Sequence, residues 1–156
     1  MTKQQQLTLW LELLWWVLTA LIVWLVLYPI HKAMYVWPFE GWNIAFVVCT
    51  ITLTRYIFLL KFTPIAWLQE VKVGLILLMF PLTFIMVDAV NGFMVYIEEH
   101  TWEALTGHLP AAQQKGIESY MWTEMLFFGV GSFVAPPVFA VRLFMSVWRT
   151  RNRGTV

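Results

Sequence analysis

The chain is short of charge. Of its 156 residues 12% are Asp, Glu, Lys or Arg, against 60% hydrophobic. Soluble domains carry about 25% charged and about 45–50% apolar residues. Both departures point to a membrane-embedded chain. A net charge of +1 provides no basic stripe for phosphates, which excludes nucleic acid as a partner. The single cysteine, Cys49, excludes an intrachain disulfide and dithiol redox chemistry. Histidine is also scarce. His31, His100 and His108 lie outside the cores of the long apolar runs, which disfavours a bis-histidine haem in the membrane. There is no Glu-x-x-His or His-x-x-x-His pair, the unit a di-iron bundle draws from two helices. Also missing are a Gly-x-Ser-x-Gly elbow and a phosphate-cradling glycine loop. This inventory leads us to expect no metal and no cofactor.

Long hydrophobic runs, in contrast, are abundant. A helix needs roughly 20 apolar residues to cross the hydrocarbon core. Four segments qualify, at about 7–30, 42–62, 73–97 and 120–148. The expected fold is an all-α integral membrane protein, a four-transmembrane-helix bundle forming one membrane domain over 1–156. The first run is too long for the apolar region of a signal peptide and is read as a retained span. Thr63-Pro64 reads as an N-cap followed by proline at the first helical position. Pro81 and Pro136-Pro137 fall inside spans, where proline kinks a helix rather than ending it. The connection from His100 to Ser119 is long for a bundle, where 2–8 residues is usual. Pro110 is expected to open a short helix within it that Gly116 ends.

Basic residues near span ends set direction. Lys3, Lys61, Lys72, Arg149, Arg151 and Arg153 gather at one side, whereas Glu98, Glu99, Glu103 and Glu118 crowd the third connection. Both termini are therefore expected in the cytoplasm, in a multi-pass protein of a bacterial-type inner membrane. Trp10, Trp67 and Trp148 then mark the inner boundary, and Trp37, Trp42, Trp102 and Trp122 the outer one, as aromatic belts. Trp15, Trp16 and Trp24 lie deeper and read as lipid contact or packing.

Charges within spans are the strongest functional pointers in such a sequence. Glu12, Arg55 and Arg142 lie on the inner side. Glu12 and Arg55 sit at matched depths, roughly 8–9 Å below the boundary at 1.5 Å per residue, so Glu12 is expected to pair with Arg55 or Arg142. Taken singly, the arginines read as snorkelling to the interface. On the outer side are Asp88, Asn91 and Glu124, with His31 at the end of the first span. Asp88 is roughly 14 Å from the outer end of its helix, too deep for a short side chain to reach water. It must be neutral, paired, or facing a wet cavity, and Glu124 is the first candidate to face it. Asp88, Asn91 and Glu124 are the candidates for binding a proton or cation.

The remaining features are read more plainly. In the second span Asn43, Thr50, Thr54 and Lys61 form a stripe that reads as interhelical glue. Glu124, Gly131, Ala135 and Arg142 share a face of the fourth span, and "GVGSF" at 129–133 reads as a helix-packing patch. Met86, Met94, Met121 and Met125 read as core filler rather than Cu(I) ligands. Glu98, Glu99 and His100 close the third span as a wet, acidic end. His100 and Glu103 at i, i+3, with His31 nearby, are the nearest approach to a ligand set.

Three function classes remain. The first is a small non-enzymatic membrane subunit or scaffold that assembles with itself or with other membrane proteins in the lipid bilayer. The second is a proton- or cation-handling transporter using Asp88 and Glu124, with Glu12, Arg55 and Arg142 as an inner ion-pair gate. The third is a membrane enzyme acting on a lipid, with Asp88, Glu98, Glu99 and His100 at the outer interface together with His31.

Overall fold

Apolar residues dominate every long segment, so the helices run on through isolated polar residues and internal prolines. The computed structural model describes residues 3–154. Its α-helices are α1 Lys3–Ala33, α2 Glu40–Leu59, α3 Gln69–His100, α4 Glu103–Thr106 and α5 Ala111–Arg151. No strand occurs among the described residues. Of these helices α1, α2, α3 and α5 are long and apolar enough to cross a membrane. Pro29, Pro81, Pro136 and Pro137 all lie inside helices without ending them.

Two connections differ from expectation. Pro110 does not open a short helix closed by Gly116. It precedes α5, with φ −60° and ψ 139°, and α5 continues unbroken through Gly116 for 41 residues. Glycine inside a helix costs about 1 kcal/mol relative to alanine, too little to end a helix supported on both sides. Thr63 does not cap α3 either. Its hydroxyl turns back and donates to the Leu60 carbonyl at 2.7 Å. Pro64 opens a 3-10 turn over Pro64–Ala66, and α3 begins later, at Gln69.

The four long helices run up, down, up and down. The N-terminal part of α1, the end of α2, the start of α3 and the end of α5 meet at one end, here the termini end. Cross-contacts fix this arrangement: Glu12 with Arg55, and Lys72 with Ser146. At the opposite, loop end, the Tyr120 hydroxyl donates to the Val26 carbonyl at 2.7 Å. Helix α5 lies at the centre, packed along α2 and α3. Two apolar clusters follow it. One joins Ile30, Phe46, Met86, Phe93, Met121 and Met125 at the loop end. The other joins Leu53, Met79, Phe139 and Leu143 toward the termini end. Met86, Met121 and Met125 thus take the packing role expected of them.

Two glycines allow the close approach of α5. A Cβ on Gly129 would stand 2.7 Å from Val90 Cγ2 of α3, and one on Gly131 2.6 Å from Thr50 Cγ2 of α2. Real Cβ atoms do not come so near a neighbour, so only glycine fits there. The packing-patch reading of 129–133 matches this geometry. Helix α1 is peripheral. Most of its large side chains, among them Trp10, Leu14, Val17 and Trp24, are exposed.

The third connection is folded rather than loose. Leu105 and Thr106 of α4 are buried. The Thr106 hydroxyl hydrogen-bonds Glu118 of α5 at 2.5 Å, and His108 Nε2 lies 3.0 Å from the Ala33 carbonyl. Trp102 packs edge-on against both Phe93 and Trp122, and Trp37 is buried. Trp37 belongs to the core of the loop end, and Trp102 and Trp122 are partly buried against it. Trp10, Trp42, Trp67 and Trp148 are exposed.

Candidate polar sites in the bundle

Three groups of polar side chains occur within the helices. The first ties α1 to α2. Arg55 Nη1 donates to Glu12 Oε1 at 3.2 Å, and its Nη2 donates to Glu12 Oε2. This is the two-pronged contact that a planar guanidinium makes with a carboxylate. The Tyr56 hydroxyl donates to the same Glu12 Oε1 at 2.6 Å. The guanidinium carbon lies 5.3 Å from the Trp15 ring centre and 5.1 Å from that of Tyr56. The site forms because Arg55 and Tyr56 are adjacent near the end of α2, while Glu12 and Trp15 are one turn apart on α1. Arg55 is therefore paired and buried, not snorkelling. Arg142 joins no ion pair among the described residues. Its Nε donates to the Ile57 carbonyl at 3.2 Å, so it caps α2 instead of serving Glu12.

The second group is in the core of the loop-end half. Asn43 of α2 and Glu124 of α5 are both buried, and Asn43 Nδ2 donates to Glu124 Oε2 at 3.0 Å. Their other acceptors, Asn43 Oδ1 and Glu124 Oε1, are buried without a donor. Further along the same contact the Thr50 hydroxyl donates to the Phe128 carbonyl at 2.8 Å, and Cys49 Sγ to the Ser132 carbonyl at 3.4 Å. The stripe on α2 thus divides. Asn43 and Thr50 hold α5, while Thr54 and Lys61 are exposed.

The third group does not face the bundle. Asp88 and Asn91 are exposed on α3. Met79, Met86, Val90 and Phe93 form the buried stripe of that helix. Asp88 follows Met79 by two and a half turns at 3.6 residues per turn, so it points away from the core. Glu124 therefore does not meet it. Neither Asp88 nor Asn91 makes a hydrogen bond or ion pair among the described residues. Helix α3 has 32 residues and is about 48 Å long at 1.5 Å per residue. Asp88 lies about 18 Å from its His100 end and about 28 Å from Gln69.

At the loop end Glu98, Glu99 and His100 are exposed. The His100 ring stacks on Tyr96 at 4.5 Å, with Nδ1 3.3 Å from the Tyr96 carbonyl. His31 lies 3.2 Å from Glu40, across the first connection. No group of three His, Cys, Asp or Glu side chains converges among the described residues. A groove of about 660 Å³ runs along α5 beside Thr123, Phe127, Val130 and Val134. It is apolar and touches neither Asp88 nor Glu124.

Sequence reasoning missed two contributors. Lys72 has the sequence signature of a span boundary, yet it is buried and donates to the Ala66 carbonyl at 2.8 Å and Ser146 Oγ at 3.1 Å. No local signal distinguishes it from an exposed lysine. Tyr56 has no mark in the sequence beyond its position next to Arg55, yet it donates to Glu12. No protein-family model matches the chain, and comparison with curated proteins and with solved structures gives no match either.

Proposed function

We propose that the chain is a small non-enzymatic membrane subunit that assembles with itself or with other membrane proteins. One observation carries this reading. Asp88 and Asn91 stand on the outward face of a helix long and apolar enough to span a bilayer, about 18 Å from its nearer end. Polar side chains at that depth normally face a protein interior or a wet cavity rather than acyl chains. Within one copy these two face neither. A protein neighbour that covers α3 resolves the conflict. The polar groups inside the bundle favour the same view, because Glu12, Arg55, Asn43 and Thr50 are engaged in joining helices. In this reading the chain sits in a cytoplasmic membrane with both termini inside, following the arginines after Trp148.

The test is the size of the particle in a bilayer. Cross-linking in isolated membranes, followed by native mass measurement in nanodiscs, should recover the chain in a species larger than one copy. Recovery as a lone monomer from both would remove the reading.

A second reading, proton or cation handling, draws on Glu124. Its Oε1 and Asn43 Oδ1 are adjacent buried acceptors without donors. It expects a proton flux in proteoliposomes that Glu124→Gln abolishes, and a flux the variant leaves intact would sink it.

A further inference from the structure

We infer that Asn43 and Glu124 form a proton-binding site, in which one proton on Glu124 Oε1 closes a ring of two hydrogen bonds between the carboxyl and the amide. This deepens the second reading, on whose site it rests, and names a proton rather than a metal ion as what the site holds.

The count of donors and acceptors leads there. An amide side chain has two donors on nitrogen and one acceptor oxygen, whereas an ionised carboxylate only accepts. Asn43 Nδ2 donates to Glu124 Oε2 at 3.0 Å. Oδ1 is bonded to the same carbon as Nδ2, and Oε1 to the same carbon as Oε2. The contact therefore keeps two further acceptors beside it, and both are buried without a donor. Two buried oxygens with no hydrogen between them are a costly arrangement. One proton on Oε1 removes it. The carboxyl then donates from Oε1 to Oδ1 while Oε2 accepts from Nδ2, and every oxygen of the pair has a partner.

The surroundings favour a neutral pair. Asn43 is fully buried and Glu124 is 6% exposed. The other buried side chains of this half of the bundle are apolar, among them Ile30 of α1, Phe46 of α2, Met86 and Phe93 of α3, and Met121 of α5. Phe46 lies one turn from Asn43, and Met121 one turn from Glu124. Tyr120, also one turn before Glu124, donates its hydroxyl to the Val26 carbonyl. Cys49 Sγ of α2 is turned to the Ser132 carbonyl. The ion pairs among the described residues are Glu12–Arg55 and His31–Glu40, so none includes Glu124. A buried charge that nothing pairs is resolved by neutralisation.

A metal ion fits the site less well. Hard cations take about six oxygens or more, and two are free here. Helices α2 and α5 run unbroken past Asn43 and Glu124, which commits their backbone carbonyls to the helices.

The experiment is infrared spectroscopy of the full chain in vesicles of ether-linked phosphatidylcholine, whose lipids have no ester carbonyl to mask a carboxylic acid band. Subtracting the spectrum of Glu124→Gln isolates one of the nine Asp and Glu side chains. Gln supplies an N–H where the acid has its O–H, so the ring of hydrogen bonds and the fold are kept. At neutral pH the difference should contain the carbonyl band of a hydrogen-bonded carboxylic acid, shifted down in heavy water. Asn43→Ala should move that same band to the higher frequency of an acid with no amide partner, which assigns it a second way if Glu124→Gln does not fold. A carboxylate band in place of the acid band would overturn the inference, and so would an acid band that Asn43→Ala leaves unmoved. Proton flux is read separately in proteoliposomes. An acid band without flux would uphold the site and remove the transport reading, whereas flux lost in Glu124→Gln together with an ionised Glu124 would do the reverse.

Discussion

Replacing Glu12 by alanine should loosen α1 from the rest of the bundle. The side chains of Arg55 and Glu12 are 7% and 15% exposed, so the pair is mostly shielded. Removing one member of a buried ion pair leaves a charge uncompensated and costs about 3–5 kcal/mol. Tyr56 loses its acceptor as well. The Trp15 and Tyr56 rings still face the guanidinium and offset about 0.5–2 kcal/mol. A net loss of about 3 kcal/mol is expected. Removing both charges is different. Glu12→Leu with Arg55→Met leaves nothing to solvate and should fall within about 1 kcal/mol of the parent. The measurement is a double-mutant cycle from reversible unfolding in mixed micelles, followed by tryptophan fluorescence. It should return a coupling of about 2 kcal/mol or more between the two positions. Single variants that each cost under about 0.5 kcal/mol and simply add would refute the reasoning, because that is how an exposed pair behaves.

Two further outcomes follow from the α5 contacts. Glu124→Gln retains a carbonyl acceptor for Asn43 and should change thermal stability little, whereas Glu124→Leu strands a buried amide and should cost about 1–3 kcal/mol; equal melting temperatures for the two variants would show that the Asn43 contact is not formed. Alanine should act with opposite sign at two glycines of α5. At Gly131 it collides with Thr50 and should destabilise by about 1–3 kcal/mol, while at exposed Gly116, where nothing lies within 4 Å, it should stabilise by up to about 1 kcal/mol; the same detergent unfolding assay reads both.

Much of the architecture was legible in the residues. Composition and run length identified four helices of spanning length, since hydrophobicity is local and sums along a segment whatever surrounds it. Matched depth offers Glu12 a partner in Arg55 or Arg142, because rise per residue converts a count into a position along the helix axis, and only the fold chooses Arg55. The glycines at 129 and 131 signalled close packing. The third connection departs from expectation at Pro110 and Gly116, because a glycine ends a helix only when nothing beyond it holds the next turn.

The sequence could not decide direction around the helix axis. Asp88 and Glu124 have the same signature, a carboxyl well inside an apolar helix on the same side of the bundle. Only the tertiary structure turns Glu124 inward onto Asn43 and Asp88 outward. In a soluble helix the apolar stripe would have settled this. In α3 the buried stripe of Met79, Met86 and Phe93 is no more apolar than the exposed one of Leu77, Phe84 and Val95. Where lipid replaces water the hydrophobic contrast between faces is lost. Facing is then fixed by shape and by hydrogen bonds that exist only once the helices have met.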